Sequence, residues 1–474
     1  MVGLFNTLDL AKRSLQTQET AIQVTGQNIA NVNTTGYSRQ TVNITESPDV
    51  QTPVGSEGTG TEVAGIDQVV SDLLNSQIQS QNSTSGYWTG QQTALQSAQN
   101  GLDEFLNGSG ATTGTSSSSA STTDSGLSGQ LSALFNAFSA LAASPSLSTE
   151  QAAVAAGQSV TSSFNQISSQ LGSLKSTLNS SLTQNVASAN KLLSQIAGLN
   201  QQISSTEAGG GTANSLLDQR EQDLENLSQL VNISTSTDSS GNLDVSISGQ
   251  MLVAGRTQLD SLQTYDPGNG NLLVQTATGG ADLTLTGGQM QGTIDARDGT
   301  LATMQSNLDT LASNLASSVN SIYSAGYNSS GATGGNFFNG TDASDLSVSQ
   351  SLANDPSTFQ LSASATATGD NSVAVNLSNL ASTTQSGLNS QTFGNYYGSI
   401  VANLGNGLSN ANTEVTNQSA VGEMLSQQRS SVSGVSLDEE LTNMMTFQQA
   451  YEASAQVVTT VNTLMGDTLA MKTS

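Results

Sequence analysis

The chain contains no cysteine and no histidine in 474 residues. That removes the usual zinc ligands, thiol nucleophiles, imidazole general bases and disulfides together, and a Ser-His-Asp triad cannot be built. Positive charge is scarce: 10 Lys and Arg stand against 36 Asp and Glu, a net charge of -26, so phosphate backbones and anionic lipid surfaces are repelled. No nucleic-acid or membrane partner is expected. Aromatics make up 4% and a single Trp occurs, so a core must be built from Leu, Ile, Val, Ala and Met, which favours helices packed along thin seams. No run approaches the roughly 18 consecutive apolar residues of a membrane span. The opening MVGLFNTLDLAKRSLQTQET lacks an uninterrupted apolar stretch and places Lys12 and Arg13 after its apolar residues, the reverse of a cleaved signal peptide.

What is present is long helical periodicity. Leu4, Leu8, Ala11, Leu15, Gln18, Ile22, Thr25 and Ile29 alternate in steps of four and three, a heptad seam that predicts a helix over about 4–31. Turn chemistry at Asn33 to Gly36 ends it, before extended residues Thr41 to Thr45. The far end repeats the pattern with Leu437, Leu441, Met444, Gln448, Tyr451, Ala455, Val458, Asn462, Met465 and Leu469, and Ser436 with Glu439 forms a capping box in front of it. Seams this narrow gain little in isolation, so each terminal helix needs a partner, and the other is the nearest candidate.

Between them the spacing predicts helices over Ile66–Leu106, Leu131–Leu141, Thr149–Thr206, Leu216–Val231 and Leu301–Tyr323, the longest carrying a four-and-four stutter at Leu182. Leu243, Val245 and Ile247 alternate with polar residues, and Leu272–Gln275 and Leu283–Leu285 are also strand-like, so 233–292 is expected to be a β insertion. Gly108–Gly129 and Asn328–Gly340 are expected to be linkers too polar to pack, and 341–395 is the least legible stretch. The expected fold is a multidomain α+β protein: mostly long α-helices, terminal coiled-coil helices and an inserted all-β domain. Its units are 1–45 with 431–474, a helical rod of 60–232 with 293–340 and 396–430, and 233–292, with 341–395 part of or appended to the rod.

Candidate chemical sites are thin. Asp438, Glu439 and Glu440, or Asp103 and Glu104, could serve as paired carboxylates of a glycan hydrolase, but acid in a first helical turn is ordinary dipole complementation. Asp238 to Asp244 faintly suggests a calcium loop, yet lacks the full ligand series and reads as a hairpin turn. Gly209-Gly-Gly211 is followed by no Lys-Ser/Thr pair and reads as a helix-helix turn. Met444, Met445, Met465 and Met471 suit adaptable packing rather than soft-metal binding. No catalytic residue, cofactor or metal is expected, and the heptad spacing alone leaves open both an assembly seam and an intramolecular coiled coil with no assembly role.

Asn28-Ile-Ala-Asn-Val-Asn-Thr-Thr-Gly-Tyr-Ser-Arg-Gln40 resembles the N-terminal signature of bacterial flagellar rod, hook and hook-associated proteins, the flagellar axial family, with Thr35 where the family often has Pro. Gly434-Val-Ser-Leu-Asp-Glu-Glu440 and Phe447-Gln-Gln-Ala-Tyr-Glu-Ala-Ser454 resemble its C-terminal helix, in the form found in the hook-associated members. Ser248–Gly255, Gly292–Asp298 and Gly334–Phe338 agree with that likeness. The resemblance implies a structural subunit at the junction of hook and filament, assembled into a ring. It implies contact with the hook protein and with a second junction protein on the filament side, and an extracellular place in the flagellum. It further implies passage through the flagellar type III export apparatus with a dedicated chaperone and without a cleaved signal. The terminal helices would form the inner tube, with Leu8, Leu15, Ile22, Ile29, Leu437, Leu441, Met444, Tyr451, Val458, Met465 and Leu469 at the assembly interface. The family motif would be Asn28, Ile29, Ala30, Asn31, Asn33, Thr34, Gly36 and Tyr37. A hook or rod protein is the nearer alternative and a secreted glycan hydrolase the more distant one.

Overall fold

The computed structural model describes residues 2–52, 55–107, 126–238, 241–367 and 369–473. Most of the Ser/Thr-rich stretch, 108–125, and the side chains of Asp103 and Glu104 lie outside the described residues. Helix α1 (Val2–Ala30) leads into an antiparallel ribbon of β1 (Gln40–Glu46) and β4 (Thr61–Gln68), whose tip is the small pair β2 (Val50–Thr52) and β3 (Gly55–Glu57). The helix expected from Ile66 therefore starts six residues later, as α2 (Asp72–Asn107), because Ile66 is still paired with Val42 in the ribbon.

Helices α3 (Leu127–Ala143), α4 (Leu147–Ala208) and α5 (Asn214–Leu230) follow. Ser146 caps α4, accepting from Thr149 N while the Thr149 hydroxyl answers Ser146 N, which satisfies two otherwise orphaned amides. The α4–α5 turn uses Gly210 at φ +78°, so the glycine run is a helix-helix turn. Strands β5 (Ile233–Thr237), β6 (Leu243–Ile247), β7 (Gln250–Ala254) and β8 (Thr257–Gln258) form one antiparallel sheet in that order, and β9 (Leu262–Tyr265) pairs with β10 (Leu273–Thr276). Between β5 and β6, Asp238 Oδ1 accepts Asn242 N at 2.8 Å, a hydrogen bond of the kind that shapes turns.

The strand expected at Leu283–Leu285 is not formed; both leucines are buried, beside a lone bridge from Gln275 to Asp282. Helix α6 (Gly288–Asp295) begins inside the stretch expected to be β and continues through a π-helical turn, Ala296–Leu301, into α7 (Ala302–Tyr323). Gly292 explains the early start. A Cβ there would lie 1.9 Å from the Tyr87 carbonyl, so only glycine lets α6 touch the α2 backbone.

The chain then passes β11 (Phe338–Asn339), β12 (Ser347–Val348), α8 (Gln350–Asn354) and α9 (Ser372–Asn379) to α10 (Phe393–Ser433) and α11 (Leu437–Thr473). Asn328–Gly340 packs after all: Phe337 and Phe338 are fully buried. Asn320 on α7 makes this possible, its Oδ1 accepting both Phe337 N and Phe338 N at 2.9 Å and its Nδ2 donating to Phe338 O. Phe337 then meets Phe138, Tyr323 and Phe359 edge to face.

Two main cores result. One joins α3, α7, the first half of α10, the 337–388 segments and α4 as far as Leu178. The other joins α4 from Leu182 to Ala197, α5, α6 and the strands. Among the described residues no helix is long and apolar enough to cross a membrane.

Candidate functional site at the joined chain ends

Helices α1 and α11 lie antiparallel. Ser14 Oγ meets Ser454 Oγ at 2.8 Å, and Asn28 Nδ2 donates to Glu440 Oε2 at 3.0 Å. The two polar contacts stand fourteen residues apart on both helices, two heptads, so they select a single register for the pair.

Asn28 is the hub of the N-terminal motif. Its Nδ2 also donates to Gln40 O at 2.8 Å, while its Oδ1 accepts Gln40 N at 3.0 Å and the Tyr37 hydroxyl at 2.8 Å. The turn between them is shaped by Asn31, whose carbonyl accepts Thr34 N at 2.9 Å, and by Gly36 at φ +80°, where a side chain would be strained. Burial, then the charges of Asp218 and Glu440, push the Tyr37 hydroxyl up to about 12, so it stays a donor. Ile29 is half-buried, whereas Ala30 and Asn33 are exposed and Asn31 partly so.

Arg39 completes the joint. It donates from Nε to Glu440 Oε1 at 2.8 Å and from Nη2 to Glu439 Oε1 at 2.9 Å, and its backbone N–H reaches Ser433 O at 2.9 Å. Burial alone would lower the guanidinium's proton affinity, but its hydrogen bonds and the two carboxylate charges outweigh this and raise it. Glu439, read as part of a capping box, is thus turned to Arg39. Of the carboxylates considered for hydrolysis, Glu439 and Glu440 are held by one cation.

The joint is tied to the helical body by Asp218 on α5, which accepts Ser38 N at 3.3 Å and Gln68 Nε2 at 2.9 Å. Burial raises its proton affinity and these donors oppose the rise. Beside it, a cleft of about 480 Å³ lies between the motif turn, α5 and α10; Glu225 and Arg429 form an ion pair at its wall.

The seam residues divide. Leu8, Leu15, Ile22 and Ile29 are half-buried, and the deepest positions of α1 are Ala11, Thr17, Ala21, Val24, Thr25 and Asn28. The reason is a second neighbour: Thr17 Oγ1 donates to Thr61 O of the ribbon at 3.3 Å, so α1 is covered from two sides. On α11 Met444, Val458 and Met465 are half-buried, Glu440 and Val461 are buried, and Leu437, Leu441, Tyr451 and Leu469 are exposed. Arg39, Asp218 and Gln68 were not singled out in the sequence. A usable signal existed for Arg39, one of only 10 cations and part of the quoted motif run.

The family model for the flagellar hook-associated protein FlgK helical domain matches residues 115–338. That segment runs from before α3 through both cores. Two further family models match the two halves of the joint: the flagella basal body rod protein at 8–37, and the flagellar basal body rod FlgEFG protein C-terminal region at 426–471. The chain is similar to FlgK-type flagellar hook-associated proteins. It is 28% identical to flagellar hook-associated protein 1 of Bacillus subtilis over 98% of both chains. It is 26% identical to that of Escherichia coli over 60% of this chain and 70% of the relative. In fold it is similar to the flagellar hook junction protein FlgK from Burkholderia pseudomallei, with a TM-score of 0.63 and 18% identity over 75% of this chain and all of that one. The motif hub Asn28 and its partner Glu440 fall in the two separately matched terminal segments.

Proposed function

We propose that this chain is a structural subunit of the junction between hook and filament, and that filament growth requires it. The observation that carries the reading is the joined pair itself: residues of both terminal motifs lock α1 and α11 in one register while Leu437, Leu441, Met445, Tyr451, Val457 and Leu464 stay exposed along α11. Exposed apolar side chains along an ordered helix are costly in water and gain by burial against neighbours. The neighbours are other copies in a ring, with hook protein below and a second junction protein above. The terminal helices form the inner tube, 60–232 with 293–340 and 396–430 the rod layer, and the sheet lies outside.

The subunit reaches its place outside the cell through the flagellar type III route, held by a dedicated chaperone before export, and acts without catalysis. A chain with no cysteine arrives with no disulfide to obstruct threading. Deleting the gene should leave hooks without filaments and flagellin in the medium. Leu441→Asp should be exported and melt normally yet leave hooks bare, because a carboxylate in an intersubunit seam is unpaired and desolvated. Thr442→Asp, at an exposed position off that row, should restore filaments. Normal filaments with Leu441→Asp, or equal failure of both variants, would remove Leu441 from the assembly surface.

A further inference from the structure

The two main cores divide at one level of the molecule. On α4 the first ends at Leu178 and the second begins at Leu182, where the heptads stutter; on the α6–α7 helix Ile294 belongs to the second, and Ala296 and Leu301 to the first. The π-helical turn 296–301 begins at that boundary. What stands between the cores is polar.

Arg297 on the π turn is 3% exposed, and each nitrogen of its guanidinium donates a hydrogen bond. Nε and Nη2 take the two Asp298 oxygens at 2.7 and 2.8 Å, while Nη1 donates to Asn179 Oδ1 on α4 at 2.6 Å and to Leu272 O at 2.8 Å. Adjacent residues of an α-helix do not face each other, so the widened turn is what allows Arg297 and Asp298 to grip one another. Around this node the β9–β10 turn is held residue by residue. Asn269 O accepts from Lys175 Nζ at 3.0 Å, Gly270 O from Asn179 Nδ2 at 2.9 Å, and Asn271 Nδ2 donates to Asp298 Oδ1 at 2.7 Å. Burying a guanidinium costs desolvation that apolar packing would not, so such a node contributes directional fixing rather than raw stability.

We propose that the Arg297–Asp298–Asn179 node is a latch that holds the sheet-bearing core at one angle to the helical core. With the latch closed the two cores move as one body. With it open they remain folded and move about the α4 stutter and the π turn.

The chain's lack of cysteine permits a clean test in the full-length protein. Spin labels at Leu259→Cys on the sheet side and Val375→Cys on the helical side, both exposed positions, report the distance between the cores. Without further change the distribution should be narrow. Arg297→Met, which keeps the stem and loses the fork, should broaden it about twofold with helical circular dichroism retained. Asn179→Ala should do the same, and carries the test if Arg297→Met does not fold. Arg297→Lys, a charge without the fork, should also broaden it. A distribution of unchanged width in the folded variants, even with a lowered melting temperature, would overturn the latch and leave a purely stabilising node.

Discussion

Asn28 and Glu440, 412 positions apart in sequence, share a buried hydrogen bond of 3.0 Å, and Glu440 is only 2% exposed. Its other oxygen holds Arg39, so one carboxylate closes both the helix pair and the motif turn. Glu440→Ala should therefore leave an amide and part of a guanidinium unpaired, costing about 2–4 kcal/mol. Hydrogen exchange should show lost protection at 24–30 and 440–447, with the two cores unaffected. Glu440→Gln, which keeps an acceptor, should lose less. Unchanged protection in Glu440→Ala would mean that the joint does not depend on this contact.

Helix α2 crosses α6 backbone to backbone, with Gly90 facing Gln289 O and Gly292 facing Tyr87 O. Adding a methyl at Gly292 forces the helices apart, and Gly292→Ala should cost about 1–3 kcal/mol. Gly198, inside α4, has nothing within 4 Å of its would-be Cβ. Gly198→Ala should stabilise by about 0.5–1 kcal/mol through helix propensity. Denaturant midpoints of the two variants should move in opposite directions; shifts of the same sign would mean that space does not decide the matter.

The long helices were legible because heptads repeat over many residues, and the α1–α11 pairing followed from the narrowness of each seam. The buried face of α1 was less so. Ala11, Ala21 and Val24 are buried deeper than Leu15 and Ile22 because the ribbon covers a second side, and no periodicity announces a second neighbour. Phe337 and Phe338 were hidden in a glycine-rich polar stretch, although two adjacent aromatics in a chain with 4% aromatics are a signal in themselves. The Gly288 helix start was missed because close backbone contact uses glycine, which also reads as a breaker. At the site, the motif residues were visible and their partners Asp218 and Gln68 were not, since a single polar residue on a helix or strand carries no pattern.

Acid should act on the turns and on the joint with opposite sign. Asp266 is held below its ordinary 3.8, first by the Gly268 N–H, and Asp370 likewise by the N–H groups of Ala363 and Ser372. Their contribution is present above 3.8 and lost as pH falls through the depressed values. Burial instead raises Asp218 and Glu221, so their cost is present at neutral pH and relieved as pH falls through the raised values. Exchange protection at 31–40 should rise as pH falls from neutral through those raised values, while the β9–β10 turn loosens only once pH falls below the ordinary 3.8 of Asp266. Glu221→Gln, which still accepts from Gln79, should flatten the rise. A joint no firmer in mild acid than at neutral pH would contradict the burial account.

Excising the sheet separates covering from scaffolding. The ends of the insertion are adjacent: a Cβ at Gly288 would sit 2.4 Å from Val231 Cα, and Asn232 Nδ2 donates to Thr286 Oγ1 at 2.8 Å. A short linker can replace 233–286 without moving α5 or α6. A cut extended to 292 would remove the Gly292 contact with α2 and should fail. The shorter deletion keeps the first core intact, because none of its buried residues lies in the excised segment. It uncovers Leu182, Val186, Leu193 and Ile196 of α4, which the strands share in one cluster with α5. The expected product therefore retains helical circular dichroism and protection across 302–323, exchanges faster across 182–197, and is prone to associate through the bared stripe. Loss of protection at 302–323 would show that the sheet supports the first core as well. Unchanged exchange across 182–197 would show that α4 and α5 bury those leucines without it.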